Sequence, residues 1–123
     1  GPLGDTQLYV RGDHSGWQPD AAYELKYKGN NTYQAVFSFS GTMNFKVADD
    51  SDDWDIQYFV SQDDVIGQLE TSTYYRAIRG NAGVDNNQLQ LAADTWSIKL
   101  NIDDPIVLNG EAADYIVESC SPL

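Results

Sequence analysis

The chain has 123 residues, of which 19 are acidic and 7 are basic, so its formal net charge is −12. This length is typical of one domain, and no stretch approaches the roughly 18 apolar residues that a membrane span requires. With so few Lys and Arg side chains, the chain is not expected to bind nucleic acids or anionic membranes, because both are bound through clusters of basic residues.

The cysteine content and the chain ends limit the organisation further. Cys120 is the single cysteine, which excludes an internal disulfide and a Cys-based zinc site. We interpret it as an unreactive thiol in a terminal segment. The alternative is a disulfide with a cysteine elsewhere in a parent protein. Residues 1–4, Gly-Pro-Leu-Gly, look like the remnant of a cleaved expression tag. We therefore expect one domain over residues 5–120 and a short tail over 121–123.

Short stretches of alternating polarity, separated by clusters of Gly, Asn and Asp, predict an all-β fold. In chain order, strands are predicted over Leu8–Val10, Tyr23–Tyr27, Tyr33–Phe39, Asn44–Val47, Ile56–Val60, Tyr74–Ile78, Gln88–Leu91, Trp96–Ile102, Ile106–Leu108 and Tyr115–Val117. Turns are predicted at residues 28–31 and 40–42, where Gly and Asn accept a positive φ. Eight to ten short strands in so short a chain indicate an antiparallel β-sandwich.

The three tryptophans lie in two kinds of sequence environment. Trp96 begins an alternating strand and shares a face with Ile98 and Leu100, so it is predicted to lie in the core. Trp17 and Trp54 lie among Gly, Ser, Gln, Pro and Asp residues, which are typical of loops. These two indoles are therefore predicted to be exposed.

The order of several motifs resembles a known family. Leu8–Gly12 leads into Asp13-His14-Ser15-Gly16-Trp17, and Asn44-Phe45-Lys46-Val47 is followed by an acidic loop that reaches Trp54. This order resembles the starch- and glycogen-binding carbohydrate-binding modules that are appended to bacterial pullulanases and α-amylases. The similarity spans most of residues 7–118, although the segment 56–87 is longer than expected.

The resemblance implies an immunoglobulin-like β-sandwich without catalytic activity, secreted by a bacterium and covalently linked to an amylolytic catalytic domain. It also implies that Trp17 and Trp54 stack on sugar rings and that Lys46 is their polar partner. The implied ligands are starch, glycogen, malto-oligosaccharides or cyclodextrin, with α-1,4 links and α-1,6 branches as candidates. No cofactor is expected.

The chemistry of sugars agrees with this assignment. A pyranose has an apolar C–H face and a rim of hydroxyl groups, so its recognition requires an aromatic plane with hydrogen-bonding groups at the edge. Asp13 and Gln18 lie beside Trp17 in the sequence, and Asp49 and Asp53 lie in the acidic loop that leads to Trp54. These four residues are the candidate acceptors for glucose hydroxyls.

A calcium-binding or protein-interaction β-sandwich is the alternative function. Asp49, Ser51 and Asp53 have the first spacings of an EF-hand loop, but Trp54 stands where that loop requires Gly, so an EF-hand is excluded. A looser calcium site in the acidic loop remains an alternative to a solvated run of charge.

Catalysis is not expected. Paired carboxylates can hydrolyse glycosides, but with 19 acidic residues some pair will lie at the right separation by chance. His14 is the single histidine, and no Gly-x-Ser-x-Gly motif is present. The Arg11-Gly12-Asp13 tripeptide is interpreted as the end of a strand and not as an adhesion motif.

Overall fold

The computed structural model describes residues 1–59, 67–79, 87–102 and 110–119. Its strands are β1 (Leu8–Gly12), β2 (Glu24–Gly29), β3 (Thr32–Ala48), β4 (Gln57–Phe59), β5 (Gly67–Gln68), β6 (Tyr75–Arg79), β7 (Asn87–Ile102) and β8 (Gly110–Ser119). Two short 3₁₀ turns, Asp13–Ser15 and Ala21–Tyr23, follow β1. In this part of the chain no helix is long and apolar enough to cross a membrane. The predicted strand Ile106–Leu108 and Cys120 lie outside the described residues. So do residues 80–86 of the stretch 80–87, whose Gly and Asn residues predict a loop.

The predicted all-β architecture is confirmed, with eight strands in one curled sheet. All the pairings are antiparallel except the short pairing of β5 with β7. Strand β3 pairs with β7 and β4 on one edge and with β2 and β1 on the other. Because β4 pairs with β6, β6 with β8 and β8 with β7, these pairings lead back to β3. The sheet therefore wraps around its core and is not a clean closed sandwich.

The predicted turn at residues 40–42 does not occur. Strand β3 continues through it, and the register with β7 shifts between Phe39 and Gly41, where Gly41 has φ 113°. Two residues of β7, Ala92 and Ala93, pass opposite the single β3 residue Ser40 at this point. The extra residue is a β-bulge, which bends a strand without ending it.

The bulge explains why β7 looks like two strands in the sequence. Leu89 and Leu91 are buried before it, whereas Ile98 and Leu100 are buried after it. The inward positions change from odd to even numbers, so the alternation is interrupted in the sequence although the strand continues. Trp96, which is 8% exposed, lies in the core as predicted.

Other local predictions are confirmed. The hairpin between β2 and β3 turns at Gly29, Asn30 and Asn31, all of which have positive φ. In the first half of β3, Tyr33 and Ala35 are buried with Phe37. Val36 and Ser38 face outward, as the alternation predicts.

Strand β1 lies against the second half of β3, and this ladder carries the candidate site. Val10 pairs with Val47, and Arg11 pairs with Lys46. The strands approach closely at Gly12, where an added Cβ would lie 2.0 Å from the carbonyl oxygen of Asn44. Val10 and Val47 point into the core, so Arg11 and Lys46 lie on the outer face of the ladder.

Candidate functional site

Trp17 is held at the end of the turn that follows β1. The backbone N–H of Trp17 donates to the Gly12 carbonyl at 2.8 Å, after Gly16 has reversed the chain with φ 61°. The indole N–H donates to Asp13 Oδ1 at 3.1 Å. Both ends of the residue are therefore fixed by a few neighbours in the sequence.

Trp54 lies in the loop between β3 and β4, which is closed by its own polar side chains. Asp49 Oδ1 accepts hydrogen bonds from the Ser51 hydroxyl at 2.9 Å and from its backbone N–H at 3.3 Å. The Ser51 hydroxyl oxygen accepts from the Asp55 N–H at 3.0 Å. The residues predicted to form a solvated run of charge thus form a compact loop that presents Trp54.

Both tryptophans adopt a left-handed backbone conformation, with φ 62° at Trp17 and φ 54° at Trp54. Side chains with a Cβ seldom adopt this conformation, which costs of order 1–3 kcal/mol and persists only where the surroundings impose it. Such conformations concentrate at ligand-binding sites. Among the described residues, the other non-glycine cases are Asn30, Asn31 and Ser72, so the two tryptophans are the bulky side chains in this group.

Arg11 ties the two loops together. Its side chain is 1% exposed, and its Nε donates to the Trp17 carbonyl at 2.9 Å. Its Nη1 donates to the carbonyls of Asp49 and Ser51, each at 2.9 Å. The guanidinium carbon also lies 3.7 Å from the centroid of the Trp54 ring. One planar cation therefore bonds both loops and stacks on one indole, which a lysine cannot reproduce.

Electrostatics at this position is balanced. Burial lowers the pKa of the Arg11 guanidinium, and the carboxylates of Asp49, Asp52 and Asp50 oppose that effect. A guanidinium remains protonated in proteins, so the cation is permanent. The carboxylates of the acidic loop therefore compensate the positive charge of the buried guanidinium.

The two indoles form one inclined pair. Their ring centroids are 6.2 Å apart and the planes make an angle of 49°. Both side chains are partly buried, and Arg11 covers one face of Trp54. The two residues that the sequence singles out are thus brought together, although 37 positions separate them in the chain.

Lys46 is buried, beside Gln57 and Phe59. It is 4% exposed, and its Nζ donates to Gln57 Oε1 at 3.2 Å and lies 5.6 Å from the centroid of the Phe59 ring. The amide nitrogen of Gln57 in turn donates to the Trp54 carbonyl at 3.2 Å. Lys46 is therefore connected to Trp54 through Gln57, and its direct contact with a sugar stays a prediction.

The four candidate acceptors occupy different positions. Asp13 is exposed, and its two oxygens accept from Trp17 and from Asn44, the latter at 2.7 Å. Asp49 is 6% exposed and holds the loop together. Gln18 and Asp53 are exposed next to the two indoles in the chain. Among the residues that the structure describes, no group of three or more His, Cys, Asp or Glu side chains could hold a metal ion.

Arg11 and Gln57 were not identified as site residues from the sequence. For Arg11 a signal exists, because it is the single cation in the otherwise apolar strand Leu8–Gly12. A cation in a strand that is buried on both faces requires acceptors close by. No comparable signal exists for Gln57, whose role depends on the path of a distant loop.

Comparisons with known proteins bear on the whole chain. No protein-family model matches the sequence, and no curated protein matches it. Among solved structures, the ligand-induced structure of the AmyP starch-binding domain matches with a TM-score of 0.64 and 27% sequence identity. This match covers 98% of the present chain and 75% of that one. The resemblance of this chain to the starch-binding carbohydrate-binding modules is therefore confirmed.

Proposed function

We propose that this domain is a non-catalytic module that binds starch or a related α-glucan by stacking glucose rings on Trp17 and Trp54. The observation that carries the proposal is the inclined indole pair, held by Arg11 in a backbone conformation that tryptophan seldom adopts. The similarity to a starch-binding domain supports the ligand class.

The angle between the indoles favours a curved ligand. Consecutive glucose units of an α-1,4-linked chain turn relative to one another, whereas a cellulose surface is flat. Two planes inclined at 49° can each face one ring of a turning chain. Because hydrogen bonds fix both loops before any ligand arrives, little conformational entropy is lost on binding.

Stacking alone gives weak binding. About 50 Å² buried on each indole, with a matching area on each sugar, contributes about 5 kcal/mol gross at about 25 cal/mol/Å². Association costs absorb much of this gain. Weak single-site binding suits a module tethered to an amylolytic enzyme of a secreting bacterium, since tethering and repeated contacts with the polymer raise the effective affinity.

The test is binding to insoluble starch by Trp17→Ala and Trp54→Ala. Each variant is expected to lose most of its binding, because each removes one of two stacking surfaces. Trp17→Gly and Trp54→Gly are expected to lose binding too while unfolding at a temperature no lower than the alanine variants, since glycine adopts φ near +60° without strain.

Tyr27→Ala is the matched control. Tyr27 is an aromatic residue of β2 that is 43% exposed and takes no part in the indole pair. This variant is expected to bind starch like the wild type. Wild-type retention on starch by folded Trp17→Ala and Trp54→Ala would overturn the proposal, as would equal losses in the Tyr27→Ala control.

A further inference from the structure

Beside the indole pair, uncharged polar side chains cover the outer face of three neighbouring strands. Asn44 of β3 lies opposite Gln88 of β7, which lies opposite Gln68 of β5. In the next row, Thr42 lies opposite Gln90. We call these five residues the amide patch. Met43 and Leu89, between them in the sequence, point into the core.

Hydrogen bonds order the amide patch. Gln88 Nε2 donates to Asn44 Oδ1 at 2.9 Å, and Gln68 Nε2 donates to Gln88 Oε1 at 3.4 Å. The Thr42 hydroxyl donates to Gln90 Oε1 at 2.7 Å. A side-chain amide has two N–H donors and an oxygen with two lone pairs, so each has hydrogen-bonding capacity beyond these contacts.

The patch opens into a groove of about 590 Å³. The lining residues are Gln68, Leu69, Glu70, Thr71, Gln88 and Gln90. The wall opposite β7 is fixed, because the N–H of Leu69 donates to the Gln88 carbonyl at 2.8 Å and that of Glu70 donates to the Tyr75 hydroxyl at 2.9 Å. A preformed groove of this size can hold a ligand without rearrangement.

The composition of the patch selects a neutral ligand. In a chain with 19 acidic residues, the five patch residues carry no charge, and among the described residues that line the groove Glu70 alone is ionisable. Amides pair equally well with donors and acceptors, and sugar hydroxyl groups are both. An anionic ligand would find no positive charge among these residues and would be repelled by Glu70. A cationic ligand would find Glu70 alone as an opposite charge.

The patch is continuous with the indole pair. Asp13 accepts from the Trp17 indole with one oxygen and from Asn44 with the other, so Trp17 and the patch share a hydrogen-bonded residue. Asn44 also lies on the same face of β3 as Lys46, two residues further along. Neighbouring strands are about 4.8 Å apart, so the row from β3 to β5 spans about 10 Å.

From these contacts we infer that the amide patch extends the glucan site, so that a chain stacked on Trp17 continues across Asn44 and Gln88 into the groove. The inference rests on the proposed function and adds to it a dependence on chain length. A disaccharide occupies the indole pair alone, whereas a longer malto-oligosaccharide also contacts the amides.

The experiment is calorimetric titration with maltose and with maltoheptaose. The double variant Gln68→Ala/Gln90→Ala is expected to bind maltose like the wild type and to bind maltoheptaose about fivefold or more weakly, since each amide contributes a net hydrogen bond. Both replaced side chains are exposed, so the variant is expected to fold. Side-chain amide NMR signals of Gln88 should move with maltoheptaose and not with maltose.

Gln34→Ala is the matched control, because its amide donates to the Ser97 hydroxyl across the same β3–β7 pairing but far from the groove. It should bind both ligands like the wild type. If wild-type protein binds both with equal affinity and the double variant changes nothing, the extension is overturned while the proposed function stands. If wild-type protein binds neither ligand, the proposed function itself fails.

Discussion

At the scale of the single residue, the site depends on two side chains held against their backbone preference. Trp17 and Trp54 have φ values of 62° and 54°, where glycine or asparagine would be favoured. Local sequence preference therefore does not explain the tryptophans, whereas the proposed role in ligand binding would. At these two positions, a substitution that relieves the backbone strain is expected to stabilise the fold and to weaken binding.

His14 is a second residue whose surroundings determine its chemistry. Its ring centroid lies 4.2 Å from that of Tyr23 and 6.1 Å from that of Phe39. This burial lowers the pKa of His14, against the opposing effects of the Val10 carbonyl and of Asp20 and Asp13. The folded protein therefore holds this imidazole neutral more strongly than the unfolded chain does.

The free energy of unfolding is consequently expected to fall as the pH decreases below about 6.5, the ordinary histidine value. The unfolded chain takes up the proton first, so the loss continues until the pH reaches the lowered pKa of the folded state. Urea titrations between pH 7.5 and pH 5.5 measure the slope of the free energy of unfolding against pH. His14→Gln should remove most of it, and an unchanged slope in that variant would show that another group is responsible.

At the scale of the elements, one side chain of β1 positions two loops. Arg11 bonds the carbonyls of Trp17, Asp49 and Ser51, so the loops before β2 and before β4 are fixed to the same strand. The rigidity of the indole pair therefore comes from a residue that is buried beneath the loops. We regard Arg11 as a positioning residue.

Arg11→Met is expected to lower the free energy of unfolding by about 2–4 kcal/mol, because buried carbonyl acceptors lose their donors. Arg11→Lys retains the charge but lacks the planar guanidinium, with its several N–H donors and its stacking surface. A smaller loss of stability than in Arg11→Met is therefore expected. In both variants, starch binding measured well below the melting temperature should weaken. If Arg11→Lys binds like the wild type with an unchanged Trp fluorescence response to maltoheptaose, positioning by Arg11 is wrong.

The elements also show how far the sequence predicts the structure. Alternation correctly predicts the strand type, and the Gly and Asn residues correctly predict the turn at residues 28–31. It divides β3 and β7 wrongly, because a bulge interrupts the pattern while the hydrogen-bonded ladder continues through it. A glycine such as Gly41 permits a turn and a bulge equally, and only the pairing partner decides between them.

At the scale of the whole molecule, the net charge is expected to affect the stability of the fold and not the binding of a neutral ligand. The net charge of −12 is repulsive within the fold, and salt screens such repulsion. The melting temperature is therefore expected to rise when NaCl is increased from low to moderate concentration. Affinity for maltoheptaose should stay constant over the same range, because the ligand is neutral and releases no counterions. An affinity for this neutral sugar that falls steeply with salt would contradict the prediction and show that charged side chains contribute to binding.

Whole-molecule geometry also limits what the sequence could reveal about the site. The two tryptophans are predicted from their loop environment, and Arg11 is marked as the single cation of an apolar strand, but its role requires that three carbonyls of two separate loops meet at one point. The amide patch is equally hidden, since Asn44, Gln68 and Gln88 lie far apart in the chain and become neighbours only through strand pairing.

The circular pattern of strand pairing has a consequence for the crowding of copies that the proposed binding to a polymer would cause. Open strand edges are templates on which neighbouring molecules add their own strands, and crowding increases that hazard. In this fold the two longest strands, β3 and β7, pair with each other along most of their length, and β4, β6 and β8 connect them on the far side. If the proposed function holds, many copies can therefore lie side by side along one glucan without the long apolar strands offering a route to aggregation.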